Sequence, residues 1–383
     1  MSDAAKLLQE LVRIGSINPM GRDLAGPTIG EARLTTFLET FLRSLGLRPV
    51  RQKVHEGREN LYAVYQPSGA RGLVLLEAHQ DTVPVDNMTI DPFGGDSRDG
   101  KVWGRGACDV KGGMAAILTA VRRLVAERSL RTGVMVAFTV DEEQTFAGVK
   151  KLLEAPLRPD LAVAAEPTSL EIVIAHKGVA RWKVRTTGQS CHSSYPERGV
   201  NAIYRMAPVI AAHERYAAIL AAGRHHPLTG TATLSVGVIR GGTSVNTVPS
   251  WCEMEVDRRL LPGEDGEEAF RDAERYLRET LPPQITVDLV EPWLLDPPLD
   301  TPQDAEVVSL ARRAVAAVKG DPRVCGVPYG TDASKLALGG IPSIVLGPGD
   351  IAQAHTSDEW ISIEQLDQAV EIYYRIVMEA GKG

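Results

Sequence analysis

Cysteine is scarce in this sequence. The 383 residues include four cysteines, and no two of them are close enough to form a CxxC pair. Such wide spacing argues against a disulfide framework and against a thiolate zinc site, and it fits a reducing compartment. No apolar run approaches the length of a membrane span, and the first residues lack the basic and apolar regions of a signal peptide. We therefore expect a cytoplasmic protein with no membrane partner.

An excess of basic residues is also missing. The chain has 42 Lys and Arg against 49 Asp and Glu, a formal net charge of -7, and no dense basic stripe. This balance argues against a nucleic-acid partner. Hydrophobic residues make up 44% of the chain, which is ordinary for a globular protein, and the length allows two domains, each with its own core.

The apolar pattern divides the chain into two kinds of segment. In residues 1–176 and 291–383, strands alternate with helices, which predicts an α/β domain with a mostly parallel sheet covered by helices on both faces. In residues 177–290 the predicted order is βαββαβ, the ferredoxin-like α+β unit, with Ile285–Leu289 as its last strand. This unit is complete in itself, so we interpret it as a second domain inserted into the first.

One strand of the first domain ends in residues suited to metal chemistry. The run Leu73–Pro84 begins as a strand buried on both faces and ends in a histidine, an aspartate and a proline. Side chains at i and i+2 of an extended chain point the same way, so we expect the carboxylate of Asp81 to reach the ring of His79. A carboxylate behind a histidine fixes its tautomer, as is common for metal ligands. The alternative is a core histidine paired with a turn aspartate.

Further polar residues are expected at the same edge of the sheet. Reactive residues gather beyond the carboxyl ends of the strands in such sheets, and six are expected there: His79, Asp109, Glu142, Glu143, Glu166 and His355. Crowded carboxylates raise one another's pKa, and divalent cations remove this conflict. Two histidines and three carboxylates, one of them bridging, suit a pair of ions; the lack of thiolates favours zinc, with cobalt or manganese as substitutes. The plain alternative for each carboxylate alone is a solvated loop charge.

Five ordered motifs carry a resemblance to a known family. They are His79-x-Asp81, Gly106-x-x-Asp109-x-Lys111-Gly112-Gly113, Asp141-Glu142-Glu143, Glu166-Pro167-Thr168 and the late His355. In order and context they resemble the co-catalytic zinc aminoacylase and carboxypeptidase family, which includes acetylornithine deacetylase, succinyl-diaminopimelate desuccinylase, aminoacylase-1 and a glutamate carboxypeptidase. The segments Gly188–Ser194, Arg198–Ala202 and Gly347–Gly349 look most like the acetylornithine deacetylase branch. The resemblance implies a zinc-peptidase-like catalytic domain with an inserted dimerisation or lid domain.

The resemblance also implies roles for residues of the first domain. Two Zn²⁺ ions per subunit would be held by five side chains, one ion by His79, Asp109 and Glu166, the other by Asp109, Glu143 and His355. Asp109 would thus bridge the ions, and the peptide bond from Asp109 to Val110 would be cis. Glu142 would act as the general base, and Asp81 would orient His79.

In the inserted domain, the resemblance implies a second set of residues. His192 would come from the partner subunit of a homodimer and stabilise the oxyanion. Asn246 and Arg259 would hold the substrate carboxylate, with the loop containing Gly330 and Thr331 also meeting it. The alternatives are a histidine that caps a turn, a turn asparagine and an exposed strand charge.

The resemblance predicts a dinuclear zinc amidohydrolase. Its substrate would be an N-acetyl or N-succinyl amino acid, with a basic or polar side chain as the first expectation. A carboxypeptidase or dipeptidase that uses the same site is the main alternative, and a catalytically inactive metal-binding scaffold is a third, against which the intact Glu142 argues. A serine hydrolase is disfavoured because no GxSxG motif is present. Cys108 and Cys191 lack the orienting partners of a cysteine nucleophile.

Overall fold

The chain forms two compact units. The computed structural model describes residues 1–127 and 130–380. Unit 1 and unit 2 are each made of more than one segment of the chain, respectively Met1–Ile174, Thr301–Cys325 and Thr331–Gly383, and Ala175–Asp300 and Gly326–Gly330. The inserted domain expected at 177–290 lies within unit 2, which continues to Asp300.

The described residues form nine α-helices. They are α1 (Asp3–Val12), α2 (Ala32–Ser44), α3 (Lys111–Ala126), α4 (Ala147–Leu152), α5 (Ala202–Ala222), α6 (Gly266–Thr280), α7 (Glu306–Val318), α8 (Ala333–Leu338) and α9 (Ile363–Ala380). Short 3-10 helices lie at Pro196–Arg198 and Ile351–Gln353. The side chains of Ser2, Asn201 and Asp265 accept backbone N–H groups at the starts of α1, α5 and α6, which explains where these helices begin.

Eighteen strands complete the described secondary structure. They are β1 (Val50–His55), β2 (Arg58–Tyr65), β3 (Leu73–His79), β4 (Asp96–Arg98), β5 (Lys101–Trp103), β6 (Gly133–Thr139), β7 (Leu161–Ala164), β8 (Ile172–His176), β9 (Gly178–Thr187), β10 (His225–His226), β11 (Gly230–Thr231), β12 (Thr233–Gly241), β13 (Trp251–Leu260), β14 (Asp288–Asp296), β15 (Leu299–Asp300), β16 (Val324–Val327), β17 (Ser343–Val345) and β18 (Trp360–Ser362). The chain passes from unit 1 to unit 2 within β8.

The main sheet of unit 1 confirms the predicted α/β class. Its strands lie in the order β1-β2-β6-β3-β7-β17-β8. Parallel pairing is confined to the centre, β6-β3-β7-β17, whereas β1, β2 and β8 pair antiparallel with their neighbours. The expectation of a mostly parallel sheet is therefore corrected to a mixed sheet with a parallel centre. Antiparallel edges need no crossover helix, which is why β1 and β2 follow each other directly.

Helices cover both faces of this sheet. Every residue of β3 is buried. Leu73 and Leu75 pack in one cluster with Val149 of α4 and Leu336 of α8. Helices α3 and α9 contact β3 as well, and these two helices pack on each other. Burial on both faces explains why the strand begins with four successive apolar residues, Leu73 to Leu76, rather than with an apolar residue at every second position.

Unit 2 has the ferredoxin-like topology that the sequence predicts. Its sheet has the order β12-β13-β9-β14 with every pair antiparallel, and α5 and α6 contribute to one shared hydrophobic core. Trp182 of β9 is fully buried there, with its ring 5.6 Å from that of Phe270 in an edge-to-face arrangement. This core lies entirely within unit 2.

The last strand of the four-stranded sheet in unit 2 differs from the prediction. β14 spans Asp288–Asp296, whereas the expected strand was Ile285–Leu289. Pro292 suggests an earlier end, but β14 lies at the edge of the sheet, and its register shifts between Val290 and Leu294. A proline is tolerated at such an irregular edge position because no ladder hydrogen bond is required from it. Among the described residues, no helix is both long and apolar enough to cross a membrane.

Candidate metal centre

The sheet of unit 1 brings three ligand-bearing segments together. His79 is the last residue of β3, Glu142 and Glu143 follow β6, and Glu166 follows β7. Because β6, β3 and β7 are adjacent and parallel, their carboxyl ends meet at one edge. Asp109 joins them from the loop ahead of α3.

Asp109 presents its two carboxylate oxygens to two different histidines. Its Oδ1 lies 3.1 Å from Nε2 of His79, and its Oδ2 lies 3.3 Å from Nε2 of His355. Oε1 of Glu166 is 3.7 Å from Nε2 of His79, and Oε2 of Glu143 is 3.2 Å from Nε2 of His355. The five predicted ligands therefore form two groups that share one carboxylate. We name these site A (His79, Asp109, Glu166) and site B (Asp109, Glu143, His355).

The protonation of this cluster reflects burial and charge crowding. Burial raises the pKa of Glu166 to about 8 and that of Glu142 well above its usual range. Hydrogen bonds to Asp109 and Glu143 raise the pKa of His355 to about 10. Glu166 and Glu142 thus resist ionisation, whereas His355 is held as a cation. A cluster of this kind holds protons that a divalent cation would displace.

The donor set fits divalent cations. Oε1 of Glu143 is buried and accepts no hydrogen bond from any described residue. An unpaired buried carboxylate oxygen costs more than about 1–3 kcal/mol, so its persistence calls for a positive partner. Ligand atoms of His79, Glu142 and Glu166 lie within 4.8 Å of one another, as do those of His79, Asp109 and Glu143. Imidazole and carboxylate ligands without a thiolate suit zinc and its borderline neighbours.

The tautomer of His79 is set by a backbone carbonyl. Nδ1 of His79 lies 2.8 Å from the carbonyl oxygen of Asp81. A carbonyl can only accept, so Nδ1 donates to it, and Nε2 is the ring nitrogen that faces Asp109 and site A. The carboxylate of Asp81 lies 3.7 Å from the same nitrogen and makes no hydrogen bond to it. The expected carboxylate contact is therefore corrected: β3 ends at His79, and the following turn brings the main chain, not the side chain, behind the ring.

The carboxylate of Asp81 instead holds the turn that follows β6. Oδ1 accepts the backbone N–H of Glu142, and Oδ2 accepts that of Glu143, both at 3.2 Å. Nδ2 of Asn18 donates to Oδ2 at 2.8 Å. Asp81 is fully buried, so these hydrogen bonds are shielded from water. Its side chain positions the predicted base and a site B ligand at once.

A buried network extends behind this turn. Asn18 also donates to Oδ1 of Asp141, which Arg58 reaches at 2.9 Å. Arg58 makes two further hydrogen bonds to the fully buried Glu31, at 2.6 and 2.7 Å. Asp141 has φ of 66°, a left-handed conformation directly ahead of Glu142. Asp141 belongs to a predicted motif, but Asn18, Arg58 and Glu31 were missed from the sequence, where Asn18 reads only as part of a helix break before a proline.

The peptide bond between Asp109 and Val110 is cis, as the resemblance implies. Both residues are buried, and α3 begins at the next residue, Lys111.

In unit 2, His192 and Asn246 lie on adjacent loops. The backbone N–H of Ser194 donates to Nδ1 of His192 at 3.1 Å, so Nε2 carries the ring proton of the neutral form. His192 is exposed and forms a β-bridge with Thr247. Oδ1 of Asn246 accepts the hydroxyl of Ser244 at 2.5 Å, which leaves its amide N–H groups as donors. The two loops together present hydrogen-bond donors to solvent.

The remaining predicted substrate residues have different environments. Arg259 on β13 is partly exposed, and its Nε donates to Asp257 at 2.8 Å, whereas the neighbouring Arg258 is buried. A side chain at Gly330 would come within 2.4 Å of a carboxylate oxygen of Asp296 and would displace that carboxylate. Thr331 is buried, and its hydroxyl accepts the N–H of Ala333 at 3.2 Å, so the hydroxyl is already engaged.

Known proteins share this fold over the whole chain. A metallo-carboxypeptidase of family M20 from Sulfolobus solfataricus is 20% identical with a TM-score of 0.82, covering 100% of both chains. A tripeptidase from Staphylococcus aureus is 21% identical with a TM-score of 0.78, covering 100% of this chain and 98% of its own. A dinuclear metal-binding M20 peptidase from Bacillus subtilis is 16% identical with a TM-score of 0.70, covering 99% and 98%.

At such low identity, these structures show a shared fold and do not assign the chain to a family. A family model makes that assignment. The model of peptidase family M20/M25/M40 matches residues 75–379, which include both ligand groups and all of unit 2. With most of its length matched, this chain belongs to peptidase family M20/M25/M40 and is a hydrolase of that family.

Proposed function

We propose that this hydrolase is a dinuclear metal enzyme that removes an N-acyl group, acetyl or succinyl, from the α-amino group of an amino acid. The observation that carries the dinuclear centre is the shared carboxylate of Asp109, whose two oxygens face His79 and His355. The resemblance of three further segments to the acetylornithine deacetylase branch supports the choice of substrate class.

Sites A and B would hold the two ions, with zinc as the expected metal and cobalt or manganese as substitutes. When bound, the ions would supply Lewis-acid chemistry, polarising the scissile carbonyl and lowering the pKa of a water molecule. The chain contributes fixed ligand positions: the carbonyl of Asp81 orients His79, and the carboxylate of Asp81 anchors the backbone of Glu143. Fixed ligands of this kind favour binding because less ordering accompanies it.

Glu142 would act as the general base. A carboxylate oxygen of Glu142 lies within 4.8 Å of ligand atoms of His79 and Glu166 of site A, and its backbone N–H is held by Asp81. Burial raises the pKa of Glu142 well above its usual range, which makes its carboxylate a better proton acceptor. It would take a proton from the attacking water and return it to the leaving amine. Its neighbour Glu143 has the different task of ligation at site B.

His192 would stabilise the oxyanion from the partner subunit of a homodimer. The contact from Ser194 directs the ring proton to Nε2, where it can be donated. Near these loops in unit 2, a cavity of about 940 Å³ is lined in part by Ile203, Tyr204 and Val245, which are exposed. Such an exposed apolar surface supports pairing of unit 2 with a second copy.

Asn246 and Arg259 would hold the substrate carboxylate, with the loop of Gly330 and Thr331 beside it.

A carboxypeptidase or dipeptidase is the second candidate. It is favoured by the similarity of this fold to a carboxypeptidase and a tripeptidase. The two activities share one site and differ in the group on each side of the amide. One fold can serve both activities, so an assay of the chemistry separates them.

The discriminating experiment is a substrate panel assayed with and without a chelator. Purified enzyme is given N-acetyl and N-succinyl amino acids and, separately, dipeptides and tripeptides. Release of acetate or succinate with little peptide cleavage supports the deacylase, and the reverse supports the peptidase. Activity that persists unchanged after the metal has been removed would contradict both.

A further inference from the structure

Glu359 is a fully buried carboxylate of unit 1 that sequence patterns did not single out. It lies directly ahead of β18, and its two oxygens accept four hydrogen bonds. The donors are Arg105 Nη1 (2.6 Å) and Gly106 N (3.1 Å) to Oε2, and Cys108 N (2.8 Å) and Asp109 N (3.0 Å) to Oε1. A buried carboxylate with this many donors has one favourable orientation. It therefore holds the loop that carries Asp109.

Arg105 extends this connection to the loop that carries His355. The guanidinium is buried, and its Nη2 donates to the carbonyl oxygen of Thr356 at 3.3 Å. Thr356 directly follows His355. The carbonyl of Glu359 also accepts the N–H of Gly104 at 2.9 Å. One buried ion pair thus links two loops that are distant in the sequence.

These two loops supply ligands to the same proposed site. Oδ2 of Asp109 and Nε2 of His355 lie 3.3 Å apart, and both belong to site B. Asp109 lies between β5 and α3, and His355 lies between the 3-10 helix Ile351–Gln353 and β18, so neither is held by a strand or helix ladder. Metal binding requires ligand positions accurate to roughly 0.2 Å. Ligands on two separate loops reach this accuracy when hydrogen bonds hold the loops together.

Resting on the proposed dinuclear centre, we propose that Glu359 is a positioning residue that fixes Asp109 relative to His355 and so sets the metal affinity of site B. Glu166 of site A is placed by the end of β7 instead, and His79 by the end of β3. Asp109 belongs to both sites, but site A has one ligand on these two loops and site B has two, Asp109 and His355, so loss of the Glu359 contacts weakens site B more. The substrate is not contacted by Glu359, so its loss changes metal uptake before it changes KM.

The test is a titration of metal-depleted protein with Co²⁺, followed by visible absorption and calorimetry, for wild type and Glu359→Gln. The amide group of glutamine has one NH₂ donor in place of an accepting oxygen. That donor faces either two backbone N–H groups or Arg105 and a backbone N–H group, so the hydrogen bonds to one of the two oxygens are lost. Wild type is expected to bind two ions. The variant is expected to bind the first ion nearly as wild type does and the second about 10- to 100-fold more weakly. Excess metal should restore most of kcat with little change in KM.

Two further variants make the result specific. Arg105→Lys keeps a positive charge beside Glu359 but removes the fork that reaches Thr356, and it should weaken the second ion in the same direction; it also serves if Glu359→Gln does not fold. Glu39→Gln disrupts a different, partly buried Arg–Glu pair of unit 1, in which Glu39 of α2 accepts hydrogen bonds from Arg43 and from Arg51 of β1, away from both ligand loops. It should lower the melting temperature while both ions still bind with wild-type affinity.

Selective weakening of the second ion in the Glu359 and Arg105 variants, but not in Glu39→Gln, supports the positioning role. Wild-type affinity for both ions in Glu359→Gln overturns that role and leaves the proposed function intact. Equal weakening in all three variants overturns it too, since general destabilisation would then explain the loss. Wild-type protein that binds fewer than two ions overturns the dinuclear centre itself, and the role of Glu359 with it.

Discussion

Asp81→Asn tests whether the carboxylate of Asp81 positions the turn that carries Glu142 or orients the ring of His79. In the wild type, Oδ2 accepts two donors, Asn18 Nδ2 and the N–H of Glu143, and Oδ1 accepts one, the N–H of Glu142. Asparagine keeps one accepting oxygen. If that oxygen takes the position with two donors, its NH₂ group faces the N–H of Glu142. The turn that carries the general base must then shift.

The expected magnitude follows from that one lost contact. A hydrogen bond to a charged group contributes about 1.5–3 kcal/mol. If this free energy is lost from the placement of Glu142, kcat falls about 10- to 150-fold, since about 1.36 kcal/mol corresponds to a factor of ten in rate. The carbonyl of residue 81 still accepts from Nδ1 of His79, so the histidine keeps its tautomer. Metal content should therefore remain close to that of the wild type.

The assay measures kcat, KM and bound metal on the same preparation. Near-normal metal with a lower kcat agrees with positioning of the turn by Asp81. If the carboxylate instead oriented the histidine, metal affinity would fall about 10- to 100-fold while kcat at saturating metal recovered. The latter pattern would refute the reasoning from the structure. The backbone hydrogen bond to His79 offers no explanation for it.

Four other outcomes are expected. Glu142→Gln should lower kcat by about 10²–10⁴-fold, the usual contribution of a general base, while metal analysis still finds two ions; normal turnover would exclude Glu142 as the base. Metal binding at pH 7 should release protons, because the raised pKa values of His355 (about 10) and Glu166 (about 8) leave both groups protonated at that pH. Calorimetry in buffers of different ionisation enthalpy measures the number of protons released. The affinity for metal should rise with pH. Mixing a His192→Ala subunit with a Glu142→Gln subunit should restore activity in hybrid dimers, and its failure to do so would argue against action across subunits. Trp182→Ala should destabilise unit 2 by about 3–5 kcal/mol in denaturant unfolding, and a loss below about 1 kcal/mol would contradict its place in the core.

The fold was largely predictable because its strongest signals are local. The first four residues of β3 are all apolar, and such a run indicates a strand with both faces covered. The alternation in β9 likewise indicates a sheet with one face buried. The strand β8 and the six-residue α4 were not predicted, since both are too short to show a period. The extent of β14 was missed because Pro292 imitates a strand end until the sheet shows that the strand is an edge.

The candidate site was predictable in its residues more than in its contacts. The order and spacing of the ligand motifs identify side chains that the structure indeed brings together, although their metal binding stays a prediction. The partner of Asp81 was not predictable, because Asn18 lies 63 residues away in the chain and no periodic pattern joins them. The carbonyl behind His79 leaves no mark in the sequence either, since every residue has one.

The irregular edge of unit 2 bears on how copies of the chain can assemble. Pro292 has no N–H to offer a further strand, and the register shift beside it interrupts β14. The opposite edge, β12, is a nine-residue strand with many exposed positions. A sheet with one edge open to pairing can add only one further strand. When two such edges pair antiparallel, neither sheet has another open edge left. Growth by strand addition would therefore stop at a closed pair instead of continuing into a fibre.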